Sequence, residues 1–393
     1  MRPRLLVVAS TYPARPGDGT PGFVRDLAIQ EAVDFDVMVV VPRVAHGQQK
    51  ESDGPLLVRR YAYWFAGSES LADGAIIENL RARPTRWLQV PTFFIAQYLA
   101  VRRAVRDFKP DVIHVHWIIP QGVIALFAAR RVPKLVTTLG GDLYALNAAP
   151  FTAMKRRVIR GAGAVTVMND EMAQRVRSLG ASADRVQVMP MGADLTTIAG
   201  VVAEAGPRAR TGPVRILFVG RLVEKKGLAV LLSALALLPP DLDFELTVVG
   251  DGPLRASLEL AGAALPATFV GELGRIELVR HYASADIAVF PSVLAASGDK
   301  DGLPVALLEA MGTGCAIVAS DLPGINEAIE NGENGILVPP GDVARLASAV
   351  ETLATDSARR AQLGASAAVT AARYSTESVG ARYRALLGGL VRR

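Results

Sequence analysis

Short apolar runs, each closed by a turn and followed by a helical stretch, recur along the whole chain. They run Leu5–Ala9, Phe35–Val41, Leu56–Tyr63, Asp111–Trp117, Leu135–Thr138, Ala164–Met168 and Arg185–Met189. The pattern then restarts at Arg215–Gly220, Leu246–Gly250, Phe269–Gly271 and Asp286–Ser292. Runs this short and this apolar read as strands buried on both faces, a state that parallel pairing beneath helices supplies. Strand–helix alternation that starts twice points to two α/β domains, and 393 residues suit two of roughly 150–200 residues. The expected division is 1–192, a linker over 193–213 rich in Ala, Gly, Pro and Thr, a second domain over 214–375, and a terminal helix over 376–393.

Composition narrows the classes. Half the residues are hydrophobic but only 6% aromatic, which suits helices laid on parallel sheets. The single Cys315 excludes an internal disulfide framework and is compatible with a reducing compartment. The apolar run after Arg4 is too short for a signal peptide. No apolar stretch reaches the roughly 20 residues of a spanning helix without Pro or His inside it. The expected location is therefore cytoplasmic, at most peripheral at the inner face of a membrane.

Charge is uneven: residues 1–190 hold 25 Lys and Arg against 16 Asp and Glu, and the remainder 18 against 22. A basic first half suggests an anionic partner, either a phosphorylated acceptor or a lipid surface. Nucleic acid is not expected, because no Lys/Arg block with interleaved aromatics accompanies a binding motif. From Arg81 to Arg106, basic residues flank an apolar, aromatic centre that could lie in a membrane interface. A helix packed on the sheet with its charged ends in water is the preferred reading, and Pro91 interrupts the centre.

The stretch Gly298-Asp299-Lys300-Asp301-Gly302-Leu303-Pro304-Val305-Ala306-Leu307-Leu308-Glu309-Ala310-Met311 carries the most chemistry. It follows a buried strand, and Pro304 opens a helix where a missing N–H costs nothing. A helix start facing a glycine-rich loop is an anion site, since unpaired N–H groups and the helix dipole aim at the ligand. Asp301 stands before the first turn and Glu309 a little over one turn inside. Carboxylates cannot serve a phosphate, so the two are expected to accept hydrogen bonds from hydroxyls. That combination suggests a nucleotide sugar; a helix cap followed by a solvated Glu is the plainer reading.

Asp-Gly-Leu-Pro-Val-Ala-Leu-Leu-Glu-Ala-Met resembles the Glu–seven residues–Glu signature of glycosyltransferase family 4, the retaining enzymes of the GT-B fold. Asp301 stands where the first Glu is usual, and Glu309 matches the second. Gly220-Arg221-Leu222-Val223-Glu224-Lys225-Lys226-Gly227 is also similar to the family, as are Val249-Gly250-Asp251-Gly252-Pro253, Pro323–Glu327 and Gly335–Asp342. The resemblance implies two Rossmann-like doubly wound domains facing a central cleft, with the terminal helix crossing back to the first domain. It implies transfer of a sugar from a UDP- or GDP-sugar to a hydroxyl with retention, with no cofactor and no metal. The acceptor is left open among a glycan, a glycolipid and a small metabolite.

The resemblance also assigns roles. Arg221 and Lys226 hold the diphosphate together with Gly220 and the N–H groups of Val305 and Ala306, while Lys225 is read as solvated. Glu309 contacts the ribose and Asp301 the donor sugar. Asp111–Trp117 is similar to the family strand ending in His-Xaa-His, which makes His116 the functional candidate. His114 and His116 share a strand face, but nothing nearby completes a metal site. Leu135–Asp142 resembles a Thr-Xaa-His-Gly-Xaa-Asp turn with Leu139 in place of the His; Asp142 is left between a hydroxyl contact and a helix cap. The Tyr12–Arg25 loop resembles the family's glycine loop, where Gly22 meets the donor phosphate or the acceptor. An epimerase on the same fold, a phosphorylase, or a catalytically idle nucleotide-sugar binder are the alternative readings.

Overall fold

The computed structural model describes residues 2–15, 20, 22–44, 47–72, 76, 79–80, 83–206, 212–296 and 301–392. Residues 16–19 and 21 of the glycine loop, Arg81, residues 207–211, and Gly298-Asp299-Lys300 lie outside them. The chain divides into two compact units, one of Met1–Met191 with Val379–Arg393, the other of Gly192–Ser378.

In the first unit the strands are β1 (Arg4–Val8), β2 (Asp36–Pro42), β3 (Lys50–Asp53), β4 (Leu56–Tyr61), β5 (Val112–His116), β6 (Lys134–Thr137), β7 (Ala164–Val167) and β8 (Val186–Val188). Their order across the sheet is β3-β4-β2-β1-β5-β6-β7-β8. Every pair is parallel except β3 with β4. Leu5, Leu6, Val7 and Val8 have no exposure, because β1 lies mid-sheet with both faces covered. Burial of each such side chain contributes about 1.5–3 kcal/mol. The short, polar β3 carries no apolar run and was not expected from the sequence; it closes an edge.

The second unit carries β9 (Val214–Val219), β10 (Phe244–Val249), β11 (Ala267–Gly271), β12 (Ile287–Phe290), β13 (Ala316–Ser320) and β14 (Ile336–Val338), all parallel, in the order β11-β10-β9-β12-β13-β14. From β9 the chain winds outward one way through β10 and β11, then returns to place β12 on the other side. The adjacent carboxyl ends of β9 and β12 form a topological switch point, where open α/β sheets leave a crevice for ligands. In the first unit the corresponding place lies between β1 and β5.

The stretch expected as linker is different. Leu195–Ala205 is a helix whose first turn is capped by Asp194, its carboxylate accepting from the Thr197 N–H at 3.1 Å. Ile198 has no exposure and packs with Val201 and Val279 inside the second unit. Leu195, Ile198, Val201 and Val202 fall at helical spacing, a signal that small residues between them obscured. The last helix, Thr376–Val391, belongs to the first unit from Val379 onward. Its buried Tyr383 donates to the Met189 carbonyl at 3.2 Å, and its hydroxyl oxygen lies 3.3 Å from Thr166 Oγ1.

Candidate active site

At the carboxyl end of β9 the backbone must turn within contact distance of its neighbours, and two glycines make that turn fit. Gly250, after β10, has φ +125°, and a Cβ there would stand 2.1 Å from the Gly220 carbonyl oxygen. Gly227 has φ +68°, and a Cβ there would lie 1.8 Å from the carbonyl oxygen of Pro291. Only a residue without a side chain tolerates both demands. Gly227 thus lets the Glu224–Lys226 turn close against the end of β12, where the Val293 N–H donates to the Lys225 carbonyl at 2.9 Å.

That closure brings a lysine from the β9 turn onto a carboxylate from the β12 loop. Lys226 Nζ lies 2.8 Å from Asp301 Oδ2, and Ser292 Oγ donates to the same oxygen at 2.9 Å. Asp301 is 8% exposed. Lys225, read from the sequence as solvated, is only half-exposed, with its Nζ 3.8 Å from Asp301 Oδ1. Two ammonium groups and a hydroxyl thus approach one carboxylate. Arg221, in the same turn, is exposed. Gly220 packs on Lys226: a Cβ at Gly220 would meet Lys226 Cδ at 3.3 Å.

Four residues beyond Asp301 begins the helix Val305–Gly312, with Pro304 as N-cap and no side-chain cap. Its N–H groups at Val305 and Ala306 have no hydrogen-bond partner among the described residues. They are the orphan donors that every helix start presents, and both residues are half-buried. The opposite face of the helix, Leu307, Leu308 and Met311, has no exposure and anchors it in the core. Anchored in this way, the helix start follows by four residues the carboxylate that Lys226 meets.

Glu309 lies one turn in, on a face that the sequence alone would leave in water. The structure buries it to 5% exposure and sets its Oε1 3.1 Å from Arg275 Nη1. Arg275 also lies 3.5 Å from Asp194 Oδ2. Burial pushes the Glu309 carboxyl above its ordinary value, while Arg275 opposes the shift. Arg275 was missed from the sequence. It opens the helix Arg275–Ser284 and carries no motif; its meaning comes from Glu309, 34 positions away.

The remaining candidates sit in the first unit. His116 closes β5 with no exposure, its ring 4.2 Å from that of His114, and neither of its nitrogens has a hydrogen-bond partner among the described residues. Burial, and then His114, push it well below the ordinary histidine range, so it is a neutral imidazole. His114 is satisfied: its ring nitrogens lie 2.6 Å from Glu31 Oε1 and 2.7 Å from Thr137 Oγ1. Burial raises the Glu31 carboxyl and lowers the His114 imidazole, both shifts favouring the uncharged forms. The two histidines on one strand face therefore differ in kind. His114 is structural, and His116 is a buried polar group with unmet capacity.

Asp142 has an internal task. Its Oδ2 accepts from the Ile118 N–H at 2.6 Å and its Oδ1 from the Thr138 hydroxyl at 2.7 Å, which ties the turn after β5 to the turn after β6. Asp142 does not cap the helix Gly141–Tyr144, whose N-cap is Gly140 with no side-chain cap bond. Gly22 is the N-cap of the helix Phe23–Glu31 with φ −82°, a conformation open to other residues. Among the described residues, no three His, Cys, Asp or Glu side chains are grouped as a metal would require.

Two family models match the chain. "Glycosyl transferase 4-like domain" covers residues 28–192 and "Glycosyl transferases group 1" residues 213–356, the latter containing the lysine cluster and the helix start. The chain belongs to the glycosyltransferases of family 4 type. It is 43% identical over 141 residues to the amylovoran biosynthesis glycosyltransferase AmsK of Erwinia amylovora, covering 35% of each protein. It is 27% identical over 403 residues to the D-inositol 3-phosphate glycosyltransferase of Pseudarthrobacter chlorophenolicus, covering 94% of this chain and 91% of that one. Across AmsK and the two relatives next to it, the chain spans between about a third and two thirds of their length. In fold it is similar to sucrose-phosphate synthase from Thermosynechococcus elongatus, with TM-score 0.78 and 20% identity over the full length of both. It is also similar to Anabaena HepE in complex with UDP, with TM-score 0.69 and 17% identity, covering 98% of this chain and 100% of that one. The fold is GT-B, each unit a doubly wound parallel α/β layer.

Proposed function

We propose that the chain is a retaining glycosyltransferase that moves a sugar from a nucleoside diphosphate donor, a UDP- or GDP-sugar, to an acceptor hydroxyl without a metal. One observation carries the reading: Lys226 pairs with Asp301 at the switch point between β9 and β12, and four residues on a helix begins whose first N–H groups have no partner among the described residues. Such a site suits a diphosphate, whose charge grows as it departs, and fixed donors in a partly dry site stabilise that charge. Arg221 and Lys226 supply the cationic role that a metal would otherwise take.

In this reading Asp301 is the counter-ion of Lys226 at rest. An arriving diphosphate takes over the ammonium and frees the carboxylate for donor sugar hydroxyls, and Glu309, fixed by Arg275, accepts from the ribose. The bond between the anomeric carbon and the phosphate oxygen breaks, and the acceptor oxygen bonds to that carbon on the same face. The acceptor's proton passes to the departing phosphate oxygen, so no protein nucleophile is required. His116, neutral and without a partner among the described residues, is suited to hydrogen-bond a hydroxyl. Gly22 lies near the donor or acceptor, and Asp142, bonded to Ile118 and Thr138, shapes the turns after β5 and β6 that line the donor side. The acceptor is a glycan, a glycolipid or a small metabolite, and the chain works in the cytoplasm with peripheral contact at the membrane. HepE, solved with UDP, supports the nucleotide class by likeness of fold only.

Mass spectrometry of products from a panel of UDP-, GDP- and dTDP-sugars with mixed acceptors tests this. A glycosylated acceptor with the donor's anomeric configuration is expected. Donor converted with no acceptor present would indicate an epimerase, and donor that binds in calorimetry but never turns over would indicate an idle binder.

A further inference from the structure

The helix Gln89–Phe108 packs one face on β1, β2 and β4 of the first unit, and that face is spent: Phe93, Gln97, Val101 and Ala104 are buried. The opposite face is not. Leu88 is 69% exposed, Ile95 60% and Leu99 58%, and Trp87 in the preceding turn is 57% exposed. At about 100° per residue, Leu88, Ile95, Leu99 and Arg106 fall within about 40° of one another, opposite the buried set. Apolar side chains exposed singly need no explanation, but an aligned stripe does. Arg102, Arg103 and Arg106 continue the stripe, all exposed. From Arg83 to Lys109 the chain holds six basic residues and one acidic residue, Asp107, which faces Arg103 and Arg106 at 3.5 and 3.0 Å and Arg59 at 3.8 Å. The neighbouring helix Val123–Ala128 adds the exposed Phe127, with exposed Arg130 and Arg131 just beyond it.

We infer that this face docks on an anionic lipid bilayer, with the Trp87–Leu99 stripe in the headgroup boundary and the arginines on lipid phosphates. The inference names the surface and the lipid chemistry for the peripheral contact proposed above, and it rests on that reading. Both interpretations of this segment then hold at once: the helix packs on the sheet with one face and leaves the other for the membrane. Among the described residues no helix is long and apolar enough to cross a bilayer, so the contact is superficial. A second copy of the chain fits less well, because any pairing along this stripe sets one basic end against another.

Flotation of the full chain with vesicles tests the assignment. Vesicles of phosphatidylcholine with a third phosphatidylglycerol should carry the protein at about 0.1 M salt and release it at about 0.5 M, while phosphatidylcholine alone carries little. Ile95→Glu with Leu99→Glu, and separately Arg102→Glu with Arg106→Glu, should each lower the bound fraction about tenfold. Melting temperature and UDP binding by calorimetry should be unchanged, since neither pair touches the core or the nucleotide site. Undiminished flotation of either double variant overturns the proposal. So does equal flotation on neutral vesicles, or a dimer in sedimentation velocity that the Ile95/Leu99 variant dissolves while the parent ignores vesicles. UDP titration of the parent is read separately, so failure of the nucleotide site and failure of the membrane face give different results.

Discussion

Asp301 is one methylene shorter than the usual Glu, and the consequence is visible in its partners. Its carboxylate reaches Ser292 and Lys226 within its own loop cluster, which holds the lysine ready without a ligand. Lys226→Ala should cut transfer by about 10²–10³ through loss of leaving-group stabilisation, measured as kcat/KM. The fold should lose only about 1–3 kcal/mol in urea melts, because Ser292 and Lys225 still face Asp301. Turnover equal to the parent would end the role assigned to Lys226. Glu309 predicts a pH effect of definite sign. Its carboxyl is raised in the folded chain, so its contribution to stability is present below the ordinary Glu range and is lost as pH rises through the folded value. Glu309→Gln has no such loss. As pH rises from the ordinary Glu range the parent should therefore lose stability relative to the variant, while the variant binds UDP more weakly at every pH. A constant difference above that range would show that Glu309 does not carry the shift.

At the scale of elements, the site depends on two turns that approach each other more closely than side chains allow. Gly227→Ala combines a left-handed backbone with a collision on the Pro291 carbonyl. It should cost more than about 2 kcal/mol and displace Lys226 from Asp301, so calorimetry with UDP should show affinity falling together with Tm. Normal affinity in a destabilised variant would separate the turn from the site. The helix Val305–Gly312 was legible because Pro304 and the spacing of its apolar positions are local signals. The helix Leu195–Ala205 was read as linker because its composition suggested flexibility, although its capping Asp194 and its spaced apolar residues were present. β3 could not be read at all: Lys50–Asp53 is polar, and its strand state comes from pairing with β4.

For the whole molecule, unit boundaries do not follow chain order, since Val379–Arg393 completes the first unit. Val379, Tyr383, Leu387 and Leu390 are 3% exposed or less, so a chain ending at Ser378 uncovers a strip of first-unit core. Its truncation should lower the melting of the first unit by several kcal/mol, tracked by Trp64, Trp87 and Trp117, all of which lie there. UDP at about 100 times its dissociation constant should still stabilise the second unit by about 2.7 kcal/mol. Loss of UDP binding on truncation would mean that the units are not energetically separate.

The amino-acid order alone determined the two-part α/β plan, because strand burial and helix periodicity are written in neighbouring residues. It also determined the lysine turn and the carboxylate-bearing helix, whose chemistry lies within short stretches. Tertiary structure decided which groups are free to act. His114 and His116 are spelled alike, yet Glu31 and Thr137 saturate one, while the other has no partner among the described residues. Asp142 is taken by a backbone N–H 24 positions away, and Arg275 gains its place from a carboxylate 34 positions on. Such partners are distant in the chain, and only packing sets which of two identical side chains keeps an open hydrogen bond.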